Sequence, residues 1–153
     1  MKKILASLFL LPSLAVAQVE LTTEMFEVVE TQQNNGTSKV EWVNPDNIIP
    51  GDKVGYRISF KNTGEQPAAD IVLNNPVPQN TIYVEGSARG ANSTIVFSVD
   101  GGKQFANPEQ LFIEVNGKKV PATAKDYTHV RWTLNQPLPA GKDGSVQYVV
   151  QVK

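Results

Sequence analysis

From Val54 to Lys61 the side chains alternate without a break. Val54, Tyr56, Ile58 and Phe60 fall on one side, Gly55, Arg57, Ser59 and Lys61 on the other. A period of two is the signature of a pleated strand with one face buried and one face wet, and a helix cannot satisfy it. The pattern returns at Val130, Trp132 and Leu134, which alternate with His129, Arg131 and Thr133. It returns again at Val146, Tyr148, Val150 and Val152. Shorter runs rich in Ile, Val and Phe lie at 70–74, 81–84, 94–99 and 111–115, and Lys39–Val43 adds another. No stretch has sustained helical periodicity; Pro108–Leu111 is long enough for one helical turn.

Turn chemistry separates the runs. Asn34-Asn35-Gly36, Pro50-Gly51-Asp52, Asn62-Thr63-Gly64, Asn75-Pro76, Asp100-Gly101-Gly102, Asn116-Gly117 and Pro139-Ala140-Gly141 all fall between apolar segments. Asn and Gly tolerate positive φ, so Asp100-Gly101-Gly102 and Asn116-Gly117 are expected to be hairpin turns, and Pro removes a donor the ladder does not need at a strand start. The first long run, Val19 to Glu30, changes parity: Val19 and Leu21 share one side, Phe26 and Val28 the other. A bulge near Met25, or a strand that switches sheets, is expected to reconcile the two. Together the pattern predicts an all-β fold, a two-sheet antiparallel sandwich of about 7–9 strands, with a closed barrel as the alternative.

The N-terminus carries an address. Lys2 and Lys3 precede an apolar run from Ile4 to Leu14, and Ala15-Val16-Ala17 has the small-x-small spacing of a cleavage site. Residues 1–17 are therefore expected to be a cleaved secretory signal peptide, and 18–153 a single β-sandwich domain. A run that short, at about 1.5 Å per residue, spans roughly 17 Å against the ~30 Å of a hydrocarbon core, too little for an anchor; no later stretch approaches the roughly 18 apolar residues a membrane helix needs, so no membrane span is expected after cleavage. The expected location is periplasmic or extracellular. With no cysteine in 153 residues, no disulfide, thiolate nucleophile or Cys-type zinc site exists. A net charge of −1 gives no basic excess for a phosphate backbone, so no nucleic-acid partner is expected.

The stretch Pro50-Gly51-Asp52-Lys53-Val54-Gly55-Tyr56, closing at Asn62-Thr63-Gly64, is followed by Ala69-Asp70-Ile71-Val72-Leu73, Asn75-Pro76-Val77-Pro78 and Tyr83-Val84-Glu85-Gly86-Ser87. Trp132-Thr133-Leu134 and Leu138-Pro139-Ala140-Gly141 come later. In these features the chain, over about residues 49–153, resembles the bacterial conserved repeat domain (domain of unknown function eleven). The resemblance implies an Ig-like sandwich in exported or surface proteins. It implies no active site.

Chemistry-bearing residues are sparse. His129 is the only histidine, and Ser59, Ser87, Ser93, Ser98 and Ser145 stand in no nucleophile-elbow context. Asp46, Asp52, Asp70, Asp100, Asp126 and Asp143 fall mostly in turns but lack calcium-loop spacing. Trp42, Tyr127 and Trp132 are candidates for a sugar-stacking platform, and more naturally for the core. Asn35 and Asn92 stand in glycosylation-type triplets that short polar loops produce by chance. A Lys–Asn crosslink needs a buried lysine, and alternation places Lys53 and Lys61 outside. No catalytic, cofactor-binding or metal residue is assigned, and no cofactor is implied. The expected function is an exported, non-enzymatic structural or interaction module of the cell envelope, with a protein or surface polymer as partner. A carbohydrate-binding module and a small exported hydrolase are the alternatives.

Overall fold

In the computed structural model, which describes residues 18–34 and 36–153, every strong alternating run is a strand. In chain order these are β1 (Val19–Gln32), β2 (Ser38–Val43), β3 (Lys53–Asn62), β4 (Val72–Pro76), β5 (Thr81–Tyr83) and β6 (Arg89–Gly90). After them come β7 (Ser93–Ser98), β8 (Phe112–Val115), β9 (Lys118–Pro121), β10 (His129–Leu134) and β11 (Asp143–Val152). The expected signal peptide and Asn35 lie outside the described residues. Among the described residues there is no α-helix; Pro108–Gln110 makes the single turn expected there, as a 3-10 turn, and Ala124–Asp126 makes a second.

The fold is all-β with antiparallel pairing. One six-stranded sheet runs β2-β1-β3-β11-β5, with β6 also on β11; a second, three-stranded sheet runs β4-β10-β7; β8 and β9 form a separate hairpin. Inward residues of both sheets meet in one cluster: Val54, Ile58 and Phe60 from β3, Val146, Tyr148 and Val150 from β11, Leu73, Phe97, Val130 and Trp132 from the smaller sheet. Val130, Trp132 and Val150 are fully buried. Strand pairing and the packing of apolar residues from both sheets in one cluster supply this burial without any covalent staple.

Three sequence expectations need correction. The described residues carry eleven strands, not seven to nine. The two additions are β6, only two residues long, and β9, whose Lys118-Lys119-Val120-Pro121 has no apolar alternation to announce it. Asn116 and Gly117, both at positive φ, form the turn that pairs β9 with β8. Second, β1 has no bulge at Met25. It pairs with β3 in one constant register from Val19↔Asn62 to Glu27↔Val54, and with β2 from Glu27↔Val43 to Gln32↔Ser38. The parity change arises because the strand's two halves have different neighbours. Val19 packs against the core, while Phe26 and Val28 lie on the opposite face beside Trp42. Third, Asp100-Gly101-Gly102 is not a tight hairpin. Phe97 and Ala106 exchange both backbone hydrogen bonds, so the chain between them is a wide loop.

Candidate interaction surface

The three aromatic residues proposed for a stacking platform are not brought together. Trp132 points into the core, its indole N–H donating to the Arg89 carbonyl at 3.1 Å. Tyr127 is buried and stacks on Phe97 with ring centroids 4.6 Å apart. Burial raises the Tyr127 hydroxyl above its ordinary pKa, and the nearby Glu85 carboxylate adds to the rise. Only Trp42 reaches the outside. Its ring lies against the β3 backbone where Gly55 has no side chain; a Cβ there would come within 2.6 Å of the indole. Phe26 flanks it at 5.7 Å, and the Arg57 guanidinium sits over both rings, 5.0 Å from Phe26 and 5.4 Å from Trp42.

The remaining candidates are held by their own surroundings. The His129 Nδ1 shares a hydrogen bond with the Thr128 hydroxyl at 3.2 Å, and the ring meets Phe105 edge-on. Three of the turn aspartates accept from nearby backbone N–H groups and hydroxyls. Asp52 accepts from the Ile49 N–H, Asp126 from the Thr123 N–H and hydroxyl, and Asp100 from Lys103, Gln104 and the Ser98 hydroxyl. Those bonds, the Gln104 N–H first, hold the Asp100 carboxyl below the usual carboxylate range. Among the described residues, no group of three or more His, Asp or Glu side chains comes close enough to share a metal ion. Lys53 makes a loose, exposed pair with Glu30, and Lys61 is exposed.

Asn62 is the buried polar residue that turn reasoning missed. Its amide donates to the carbonyls of Gln66 and Leu138 at 2.7 and 2.9 Å, and its side-chain oxygen accepts from Gly64. One side chain thus closes the turn and ties it to a segment 76 residues away. The available signal was parity, since Asn62 continues the inward series Val54, Tyr56, Ile58, Phe60. Tyr56 stacks on Tyr148 at 5.2 Å, and the Tyr148 hydroxyl donates to the Pro76 carbonyl.

The most distinctive surface is an edge. β1 has fourteen residues, yet β2 covers only its C-terminal half. Along residues 19–26 the strand is paired on one side, by β3, and bare on the other. Gln18 accepts from Thr63 and Gln33 donates to Thr37, which fixes the alternation: even-numbered residues of β1 bond β3, odd-numbered ones face away. The backbone groups of Leu21, Thr23 and Met25 therefore point out of the sheet edge. Leu21 is 58% and Met25 46% exposed. Beside them a groove of about 290 Å³ runs between Val19 and Leu21 on one wall and Ile71 and Val72 on the other. Such an edge is a template for another strand.

Compared with protein-family models and with curated proteins, the chain matches none. No helix among the described residues is long and apolar enough to cross a membrane.

Proposed function

We propose that the protein is an exported, non-enzymatic interaction module of the cell envelope, an Ig-like two-sheet sandwich that meets its partner at the open edge of β1. The single observation that carries this reading is the bare side of residues 19–26. A 14-residue strand bare on one side along residues 19–26, with two large apolar side chains exposed and a groove alongside, is built to accept an extended segment. The motif around Pro50, Tyr56 and Asn62 supports the sandwich family, and the Lys2–Ala17 pattern supports export.

The test is Thr23→Pro. Because the Thr23 N–H faces away from β3, proline removes an edge donor without breaking the β1–β3 ladder. The variant is expected to keep its circular dichroism and thermal midpoint. It is expected to lose the envelope component that the unaltered protein retains on an affinity column. Retention of that component by the proline variant overturns the reading.

A second reading has one observation in its favour. Trp42, with Phe26 and Arg57, is an aromatic–cation cluster on the outer face, the arrangement a sugar ring stacks on. Glycan-array binding that disappears in Trp42→Ala and persists in Thr23→Pro selects this reading over the first.

A further inference from the structure

The reading above leaves the partner's chemistry open, and the side chains along the edge narrow it. Odd residues of β1 present Leu21, Thr23 and Met25 toward the inner face; even residues present Glu20, Thr22, Glu24 and Phe26 toward the outer face. On the neighbouring strand, Lys61 stands opposite Glu20 and Arg57 opposite Glu24. An incoming strand must therefore match an apolar inner row and avoid a carboxylate directly opposite each glutamate.

We infer that the occupant of this edge is a second copy of the chain, its β1 running antiparallel about a two-fold axis through Thr23. In that register Leu21 faces Met25 of the partner copy and the two Thr23 residues face each other. Glu20 then faces Phe26, and Glu24 faces Thr22, so no glutamate opposes another. Each glutamate has a cationic residue of β3, Lys61 or Arg57, directly across from it in the register.

Other registers fail on the same residues. A shift of two residues one way sets Glu20 against Glu24; two the other way sets Glu24 against Glu24. A shift of four one way runs past Val19, the first residue of the strand, and leaves Met25 without a partner; four the other way sets Thr23 against Glu27, where β2 already pairs. An odd shift turns one copy's apolar row onto the other's acidic row. At the far end the stretch is bounded by Val43, which already holds Glu27. The odd-numbered residues that meet across the axis are also those whose N–H and C=O groups point outward, so the ladder closes. The isologous contact joins two six-stranded sheets edge to edge and removes the bare edge from both.

The absence of cysteine makes the register directly testable. Across the axis the two Thr23 Cα atoms lie about 5.5 Å apart, within disulfide reach. The two Leu21 residues are offset by four positions, roughly 14 Å, as are the two Met25 residues. On oxidation with diamide, Thr23→Cys is expected to give a covalent dimer, while Leu21→Cys alone and Met25→Cys alone stay monomeric. A mixture of the Leu21→Cys and Met25→Cys proteins is expected to crosslink. Leu21→Lys, which buries a charge at the seam, is expected to halve the sedimentation mass of the purified protein without moving its thermal profile in the dilute range. Equal crosslinking at all three positions, or a monomeric unaltered protein with no Thr23→Cys crosslink, overturns the inference. If that happens while Thr23→Pro still sheds the envelope component, the second copy is wrong and the edge reading stands. If Thr23→Pro sheds nothing, both fall.

Discussion

The two tryptophans stand in similar settings and meet opposite fates. Each lies on a strand, each rests where a glycine has no side chain, and each has an arginine beside it. A Cβ on Gly55 would touch Trp42, and one on Gly90 would come within 2.9 Å of Trp132. Trp132 has a second sheet above it, so its ring is fully buried and its N–H must find a carbonyl, which Arg89 provides. Trp42 points to the outer face of its sheet, beside Phe26 and Val28 and away from the core. With nothing to cover it, the ring settles against its own sheet and shares Arg57 with Phe26. A strand's alternation sets two faces; only a facing layer makes one of them a core.

If that contrast is right, Trp132→Ala is the most damaging single change, costing about 3–5 kcal/mol in urea or thermal unfolding because the cavity has no way to fill. Asn62→Ala comes next. It removes a donor from two carbonyls, and their loss should cost roughly 2 kcal/mol, with faster hydrogen exchange at residues 62–68 and 138–142. Trp42→Ala should cost about 1 kcal/mol, the scale of exposed cation–π and edge packing. The change in exchange should be confined to 28–32 and 39–43. A global loss as large as that of Trp132→Ala would erase the distinction between ribbon and core.

The smaller sheet offers a sharper version of the comparison, because its outer face is covered. The loop 99–106 folds over it, with Phe105 under the Arg131 guanidinium at 3.4 Å and the Ser98 hydroxyl accepting from Asp100 and Gly102 N–H groups. Asp100 secures that loop through its charged form. Its folded pKa is below the unfolded value, so its contribution is present above about pH 4 and is lost as pH falls through the lower folded value. Exchange in 99–106 should rise in that acid window and not at the Trp42 ribbon. Asp100→Asn should abolish the difference. Val40→Thr, at an exposed ribbon position, should change stability by less than about 0.5 kcal/mol.

Much of the fold was legible in residue order. The alternation at Val54–Phe60, Val130–Leu134 and Val146–Val152 named the central strands and their buried sides, because a period of two has one interpretation when a face is dry. Asn116-Gly117 named its hairpin for the same local reason, both residues tolerating positive φ. The candidate surface was far less legible. Nothing at Leu21 or Met25 distinguishes an apolar side chain that a sheet will cover from one that it will not. Asn62 looked like a turn residue because its second role depends on Leu138, distant in the chain.

Pleat, turn and the inward side of each central strand follow from sequence, since they depend on neighbours one to four residues away and on water. How far β2 reaches along β1, and which face of the larger sheet packs against the smaller one, were decided by tertiary pairing. The first leaves residues 19–26 bare, and the second leaves Trp42 on the surface while Trp132 is sealed. Burial is a property of what lies opposite, and no residue carries that information alone.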